Sequence, residues 1–293
     1  MHRIVLADNL EVLRSLPDGA VNLIYLDPPF NTGRTQRRTT VRTERVADDE
    51  AAGAGDRTGF GGRRYRTTEL SSRAFGDAFD DFLGFLEPRL VECRRVLAAD
   101  GSLFLHLDPR ESHYAKVLLD GLFGRDSFMN EIVWAYDYGG RSKRRWPAKH
   151  DTILWYARDP EQYTFNYEAI DRIPYMAPGL VTPEKAARGK VPTDVWWQTV
   201  VPTSGSERTG YPTQKPIAIL ERIVRVHSKP GELVADFFAG SGTTGEAAAR
   251  NGREFLLVDQ HPEAIDVMEE RLSEWAPEVI REFKGGSGSR RAS

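Results

Sequence analysis

The stretch VNLIYLDPPFNTG, Val21 to Gly33, limits the architecture before any other part of the chain does. Val21, Leu23, Ile24 and Leu26 form an apolar run of strand type with too few polar positions for one face to meet water. Such strands belong to parallel sheets that are covered on both faces. The run stops at an acid, two prolines and an aromatic. The prolines fix their own φ, restrict the preceding residue and remove two backbone donors, so sheet pairing cannot continue. A rigid turn thus delivers a carboxylate, Asp27, and a ring, Phe30, to the carboxyl end of a strand.

The rest of the chain repeats the alternation. HRIVLAD and NLEVLRSLPDG read as a strand, an Asp8/Asn9 turn and a brief helix ending near Pro17 and Gly19. Phe79, Phe82, Leu83, Leu86, Leu90, Cys93 and Leu97 share a helical face, and Pro88 is expected to kink or divide that helix. GSLFLHLD is a buried strand and PRESHYAKVLLDGLFG an amphipathic helix. NEIVWAYDY and HDTILWYARDP read as two strands of a long hairpin. Pro216 to His227 is a helix, GELVADFFAG a strand, SGTTGEAAARNG a glycine-entered helix, REFLLVDQ a strand, and Pro262 to Trp275 a last helix. This succession means an α/β fold with a mainly parallel sheet and one antiparallel hairpin.

Two segments break the pattern. Residues 34–73 hold Arg, Thr, Gly and acids with no period, which predicts a flexible loop or one that orders on a polyanion. Residues 160–210 are rich in Pro, Tyr and Trp and read as an irregular insertion. The division expected is 1–159, then the insertion 160–210, then 211–275 completing the first part, with a flexible tail over 276–293.

The chain has 293 residues and a formal net charge of -3, so its composition gives no global sign of a polyanionic partner. The charge is uneven, however. Arg141, Lys143, Arg144, Arg145 and Lys149 crowd the hairpin connection with Trp146 among them, a pattern suited to phosphate contact. Cys93 is the single cysteine, which excludes a disulfide framework and a cysteine-based zinc site, and its helical setting suggests packing. No apolar stretch is long enough to span a bilayer and Met1 to Asp8 has no signal-peptide pattern, so the expected place is the cytoplasm of a bacterial-type cell.

DFFAGSGTTGEAAARNGREFLLVDQ sets Gly240, Gly242 and Gly245 between a strand and a helix, with Asp259 ending the next strand. Glycines let a backbone approach a ligand and a later acid can hold ribose hydroxyls, so a nucleoside-containing ligand is expected. A nicotinamide dinucleotide is one candidate, although that unit usually opens a domain and here lies near the end of the sequence. A P-loop is excluded, because GSGTTG lacks the lysine that would reach phosphates.

Taken together, DPPF (Asp27 to Phe30), YPTQKP (Tyr211 to Pro216) and FAGSG (Phe238 to Gly242), in that order, resemble the beta group of bacterial DNA amino-methyltransferases. The resemblance extends through ADNLEVLRSLPDGAVNLIYLDPPFNTG, RRVLAADGSLFLHLD, NEIVWAYDYGG and KHDTILWYA, over most of the chain. It implies a Rossmann-like fold with permuted motif order, an inserted target-recognition region, and S-adenosyl-L-methionine as methyl donor. The same resemblance assigns Asp236, Phe238, Gly240, Ser241, Gly242 and Thr243 to the cofactor's methionine and ribose side. It further assigns Asp259 to the ribose hydroxyls, Thr213, Gln214 and Lys215 to the methionine carboxylate, and Asp8 and Asn9 to the adenine. Asp259 stands where many relatives carry the longer Glu.

The implied reaction gives the opening turn a purpose. An exocyclic amine is a poor nucleophile because its lone pair is delocalised into the ring. Asp27 and the Pro28 carbonyl would accept its two N–H bonds, Pro29 would stiffen the turn, and Phe30 would stack on a base extruded from the duplex. No cysteine nucleophile follows a proline, which argues against carbon-5 cytosine methylation. Asp at the first motif position favours N6 of adenine over N4 of cytosine within the family. The partners implied are double-stranded DNA, a cognate restriction endonuclease and a second copy of the chain. A nicotinamide oxidoreductase and a non-catalytic DNA-binding relative are the competing readings.

Overall fold

The computed structural model describes residues 2–31, 34–45, 56–58, 64–77, 79–139, 142–202, 205 and 207–284. Its first elements are β1 (His2–Leu6), α1 (Asn9–Ser15), β2 (Val21–Leu26), β3 (Arg34–Arg45), β4 (Asp56–Thr58), β5 (Arg64–Asp77), α2 (Phe82–Val96), β6 (Leu97–Leu107) and α3 (Ser112–Phe123). Next come β7 (Phe128–Ala135), β8 (His150–Ala157), α4 (Pro183–Arg188), β9 (Val195–Trp197) and α5 (Ile217–His227). The chain then runs through β10 (Leu233–Asp236), α6 (Thr243–Arg250), β11 (Glu254–Asp259), α7 (Pro262–Arg271) and β12 (Glu278–Ile280).

Two compact units divide the chain, Met1–Phe30 with Asp81–Ser293, and Asn31–Asp80. The first is built on a nine-stranded sheet in the order β12-β1-β11-β10-β2-β6-β8-β7-β9. From β12 to β6 every neighbour is parallel, while β8 runs antiparallel to both β6 and β7, as the α/β reading expects. β10 and β11 come late in sequence yet lie between β2 and β1, so the glycine turn enters the sheet beside the DPPF turn.

The sheet is covered because its helices carry apolar stripes at helical spacing. Ile219, Leu220, Ile223 and Val224 of α5 join Leu23, Tyr25, Phe104, Val234, Phe255 and Leu257 in one buried cluster. α6 comes close to β11 because Gly245 has no side chain; a Cβ there would stand 2.6 Å from Leu257 Cδ1.

Four expectations change. α2 is a single helix through Pro88, with Asp81 Oδ1 accepting from Gly84 N at 2.8 Å at its start and Leu86, Leu90 and Cys93 buried on both sides of the proline. Packing of that face outweighs the one hydrogen bond that proline removes. Leu97 belongs to β6 and Phe79 precedes the helix. Within 34–73 the described residues 34–45, 56–58 and 64–73 pair as strands: β3 lies antiparallel to β5 from Arg34↔Asp77 to Arg45↔Tyr65, and β4 pairs with β5, in a sheet of order β3-β5-β4. Ladder bonds and threonine's preference for extended backbone require no alternation of large apolar residues, which is why no period announced them. Finally, β9 within the 160–210 insertion pairs parallel to β7 and extends the sheet, and β12 adds a short edge within 276–293; residues 285–293 lie outside the described residues. Cys93 is fully buried, and burial pushes its thiol far up, in keeping with a packing role.

Candidate active site

The parallel strands β1, β11, β10, β2 and β6 end along one edge, in the register Leu6↔Asp259, Leu257↔Asp236, Asp236↔Tyr25 and Leu26↔Leu105. Asp8, Asp259, Asp236, Asp27 and Asp108 therefore follow one another along it. In open α/β sheets the crevice outside these carboxyl ends is where ligands bind.

Asp27 closes the β2 end. Its Oδ2 forms an ion pair with Lys215 Nζ, and both side chains are largely buried. Its Oδ1 is buried without a hydrogen-bond partner among the described residues. An acceptor left in that state costs about 1–3 kcal/mol, so the site is built to receive a donor. Lys215 Nζ also stands 4.9 Å from the centre of the Phe30 ring, a cation–π distance. Phe30 in turn lies 5.7 Å from the His106 ring.

The neighbouring β10 end is finished differently. Asp236 Oδ1 accepts from Phe238 N at 2.9 Å and Oδ2 from Thr244 Oγ1 at 2.6 Å. Burial pushes its carboxyl up to about 7. Gly240 (φ 49°) donates its N–H to Asp259 Oδ2 at 3.0 Å, while Asp259 Oδ1 accepts from His261 N at 2.9 Å. Burial raises the Asp259 carboxyl as well. Gly242 has φ 76°, and a Cβ there would stand 2.8 Å from Met268 Cγ, so both backbone and packing demand glycine. Asp27 and Asp259 each push Asp236 toward its protonated form, in a cluster of carboxylates where Lys215 is the cation paired with Asp27.

The remaining residues singled out in the sequence fall around these two turns. Asp8 caps α1 by accepting from Leu10 N at 2.8 Å, and Asn9 Nδ2 donates to the Phe237 carbonyl at 2.8 Å. Ser241 and Thr243 join hydroxyls at 3.1 Å, and Phe238 packs 6.1 Å from Phe85. The backbone at Thr213 has φ 57°, uncommon for a β-branched residue. Gln214 is occupied within its own loop: its Oε1 accepts from Thr209 N and Thr209 Oγ1, both at 2.9 Å, and its Nε2 donates to the Glu207 carbonyl. Lys215 points to Asp27, whereas the resemblance directed it to a cofactor carboxylate.

Several supporting residues gave no local signal. Arg89 bridges Asp8 Oδ2 at 3.1 Å and Asn9 Oδ1 at 2.6 Å, which locks the β1 end. Arg271 Nη1 donates to Thr243 Oγ1 at 2.9 Å and the Ser241 carbonyl at 3.2 Å, bracing the glycine turn from α7. His106 and Asp151 pair beneath Phe30, and a histidine inside the apolar LFLHL was the one available hint.

In the hairpin connection, Lys149 is neutralised by Asp137 at 2.5 Å. Lys143, Arg144 and Arg145 are exposed, and the N–H groups of Arg144 and Arg145 both donate to Ser142 Oγ at 3.2 Å. Trp146 is 95% exposed. Arg141 lies outside the described residues. Among the described residues no cluster of His, Cys, Asp and Glu could hold a metal ion, and no helix is long and apolar enough to cross a membrane.

The N6/N4 family model described as DNA methylase matches residues 21–270. The type II methyltransferase M.HpaI of Haemophilus parainfluenzae is 28% identical over 270 residues, 92% of this chain and 74% of that protein. The DNA adenine methyltransferase YhdJ of Escherichia coli K12 is 29% identical over 292 residues, 96% of this chain and 87% of that protein. Among solved structures, an M1.HpyAVI–SAM complex superposes with a TM-score of 0.58 at 20% identity, covering 93% of this chain and 99% of that one.

Proposed function

Since the chain belongs to the N6/N4 DNA methylase family, we propose that it methylates the N6 amine of adenine within a specific sequence of double-stranded DNA, with S-adenosyl-L-methionine as donor. The unpaired, buried Asp27 Oδ1 carries this reading. It offers an acceptor to an amine N–H, on a turn whose prolines leave it fixed and whose Phe30 ring gives the base a stacking face. The bound donor supplies an electrophilic methyl on a sulfonium. Its positive charge suits an edge where Asp27, Asp236 and Asp259 raise local negative potential.

Asp27 holds the amine and draws its nitrogen toward a tetrahedral state; the Pro28 carbonyl accepts the second N–H. Phe30 carries the flipped base. The cofactor roles given above for Asp8, Asn9, Thr213, Lys215, Asp236, Phe238, Gly240, Ser241, Gly242, Thr243 and Asp259 form part of the same proposal, as does target reading by residues 160–210; the Gln214 side chain shapes the loop that carries Lys215. Lys143, Arg144 and Arg145 serve as phosphate positioners, without a say in sequence. Work on DNA places the protein in the cytoplasm, and a cognate endonuclease and a second copy are partners within the proposal.

Adenine is favoured because YhdJ, similar over nearly the whole chain, is an adenine methyltransferase. The family's N4 branch supports N4-methylation of cytosine as the second reading. Modification-sensitive sequencing of DNA from a methylation-free host expressing the protein, beside its Asp27→Ala variant, tests both. N6-methyladenine at one sequence, lost in the variant, is the expected result. N4-methylcytosine would select the second reading, and unmodified DNA would overturn both in favour of a non-catalytic relative.

A further inference from the structure

We propose that His106 is a positioning residue for the proposed methyl transfer: held between Tyr25 and Asp151, it fixes the Phe30 ring and the charge that faces Lys215. The proposal rests on the amino-methyltransferase reading.

His106 is fully buried near the carboxyl end of β6, where an imidazole is costly unless both nitrogens are satisfied. Both are. Nδ1 lies 2.6 Å from the Tyr25 hydroxyl and Nε2 3.1 Å from Asp151 Oδ2. Asp151 is buried, which by itself would raise its carboxyl, yet the His106 bond, the charges of His106 and Lys215 and the Tyr136 hydroxyl hold it below the usual carboxylate range. An ionised Asp151 can only accept, so Nε2 carries the proton it shares. Burial together with Asp27, Asp236 and Asp151 keeps Tyr25 protonated, so its hydroxyl and Nδ1 share one hydrogen bond. Asp151 Oδ1 accepts from Tyr136 OH at 3.0 Å, so the network ties together β2, β6, β8 and the residue after β7.

A buried polar network of this kind gives little stability over apolar packing, and its value lies in geometry. Here the geometry meets the site on two sides. The His106 ring backs Phe30 at 5.7 Å and meets Trp134 edge-on at 5.5 Å, which holds the plane on which a base would stack. Asp151 attracts the Lys215 ammonium from one side while Asp27 holds it from the other, so the network sets how much of Asp27 that ammonium claims. Tyr25 also stands two residues before Asp27 on the same strand, so its hydroxyl bond anchors the turn from below.

The test uses the full-length protein with two duplexes: one with adenine at the target position, on which methyl transfer is measured, and one with 2-aminopurine there, whose fluorescence reports extrusion of the base. His106→Leu removes both bonds, His106→Gln retains a donor toward Asp151, and Tyr25→Phe removes only the partner of Nδ1. His106→Leu should lower kcat/KM for DNA by about 10²-fold and reduce the fluorescence rise, because angstrom-scale misplacement costs that much. His106→Gln and Tyr25→Phe should each lose about tenfold, with S-adenosylhomocysteine affinity unchanged in all three. If His106→Leu does not fold, the other two variants decide. Variants that transfer methyl and extrude the base like the wild type would overturn the proposal, as would losses that follow melting temperature and cofactor affinity alone. A wild-type protein that binds the sequence but transfers no methyl would instead defeat the reading beneath it.

Discussion

β2 and β10 are neighbouring parallel strands that end alike, in an aspartate followed by a turn bearing an aromatic, yet the two turns are finished in opposite ways. Asp236 has both oxygens answered by the protein, through Thr244 and the Phe238 N–H. Asp27 has one oxygen on Lys215 and the other on nothing among the described residues. The same side chain, one strand apart, thus shapes a loop in one place and waits for a donor in the other. What separates architecture from chemistry here is the completeness of the hydrogen bonding, since both groups are largely buried acids.

The largest effect should come from removing the waiting carboxylate. Asp27→Ala is expected to lower single-turnover methyl transfer by about 10³-fold, the scale of losing a preorganised electrostatic partner. Affinity for S-adenosylhomocysteine, measured by calorimetry, should stay within about twofold, because the glycine turn and its braces are untouched. Equal losses in both quantities would erase the distinction between the turns.

Asp236 offers the converse test through pH. Its folded carboxyl is raised to about 7, against about 3.9 in an unfolded chain, so between these values the folded state binds the extra proton. Its contribution is therefore least unfavourable below pH 4 and worsens as pH rises toward 7. Denaturant unfolding from pH 5 to pH 8 should show the wild type losing about 2–4 kcal/mol relative to Asp236→Asn, whose amide does not ionise. Asp151, shifted the other way, loses its contribution only in acid below that window. Asp259 shares the sign of Asp236 and leaves a residual slope in the variant. A nearby ammonium favours the ionised form, so S-adenosylhomocysteine, which keeps its amino group, should gain more affinity from pH 5 to pH 7 in the wild type than in Asp236→Asn.

The contrast also marks what a sequence can disclose. The turns were legible because their determinants are contiguous: two prolines beside Asp27, and glycines at 240 and 242 where φ is positive. The strands β2, β6, β8 and β11 were legible because burial on both faces leaves continuous apolar runs. Partners that finish the turns were not. Lys215 meets Asp27 across 188 residues, Tyr25 meets His106 across 81, and His106 meets Asp151 across 45. Nothing local distinguishes those side chains from other surface or core residues until the sheet order brings them together. β9 and β12, three residues each, owe their existence to an available edge, which no window of sequence displays. Gln214 shows the reverse limit, where a motif position suggests a ligand contact and the loop has already taken the side chain.

The smallest effect sharpens the comparison most, because it touches shape alone. Gly242→Ala places a Cβ at φ 76° and 2.8 Å from Met268 Cγ. The left-handed backbone costs about 1–2 kcal/mol for alanine, and the buried Met268 must shift to admit the Cβ, which adds about 1–3 kcal/mol. Melting temperature should fall by about 4–15 °C for a chain of this size. S-adenosylhomocysteine binding should weaken by about tenfold, while at saturating cofactor the transfer rate stays near that of the wild type, since Asp27, Lys215 and Phe30 keep their places. That pattern is the mirror image of Asp27→Ala. If Gly242→Ala instead lowered the saturated rate, the glycine turn would be reaching the reacting amine as well, and the two strand ends would form one device whose halves cannot be perturbed apart.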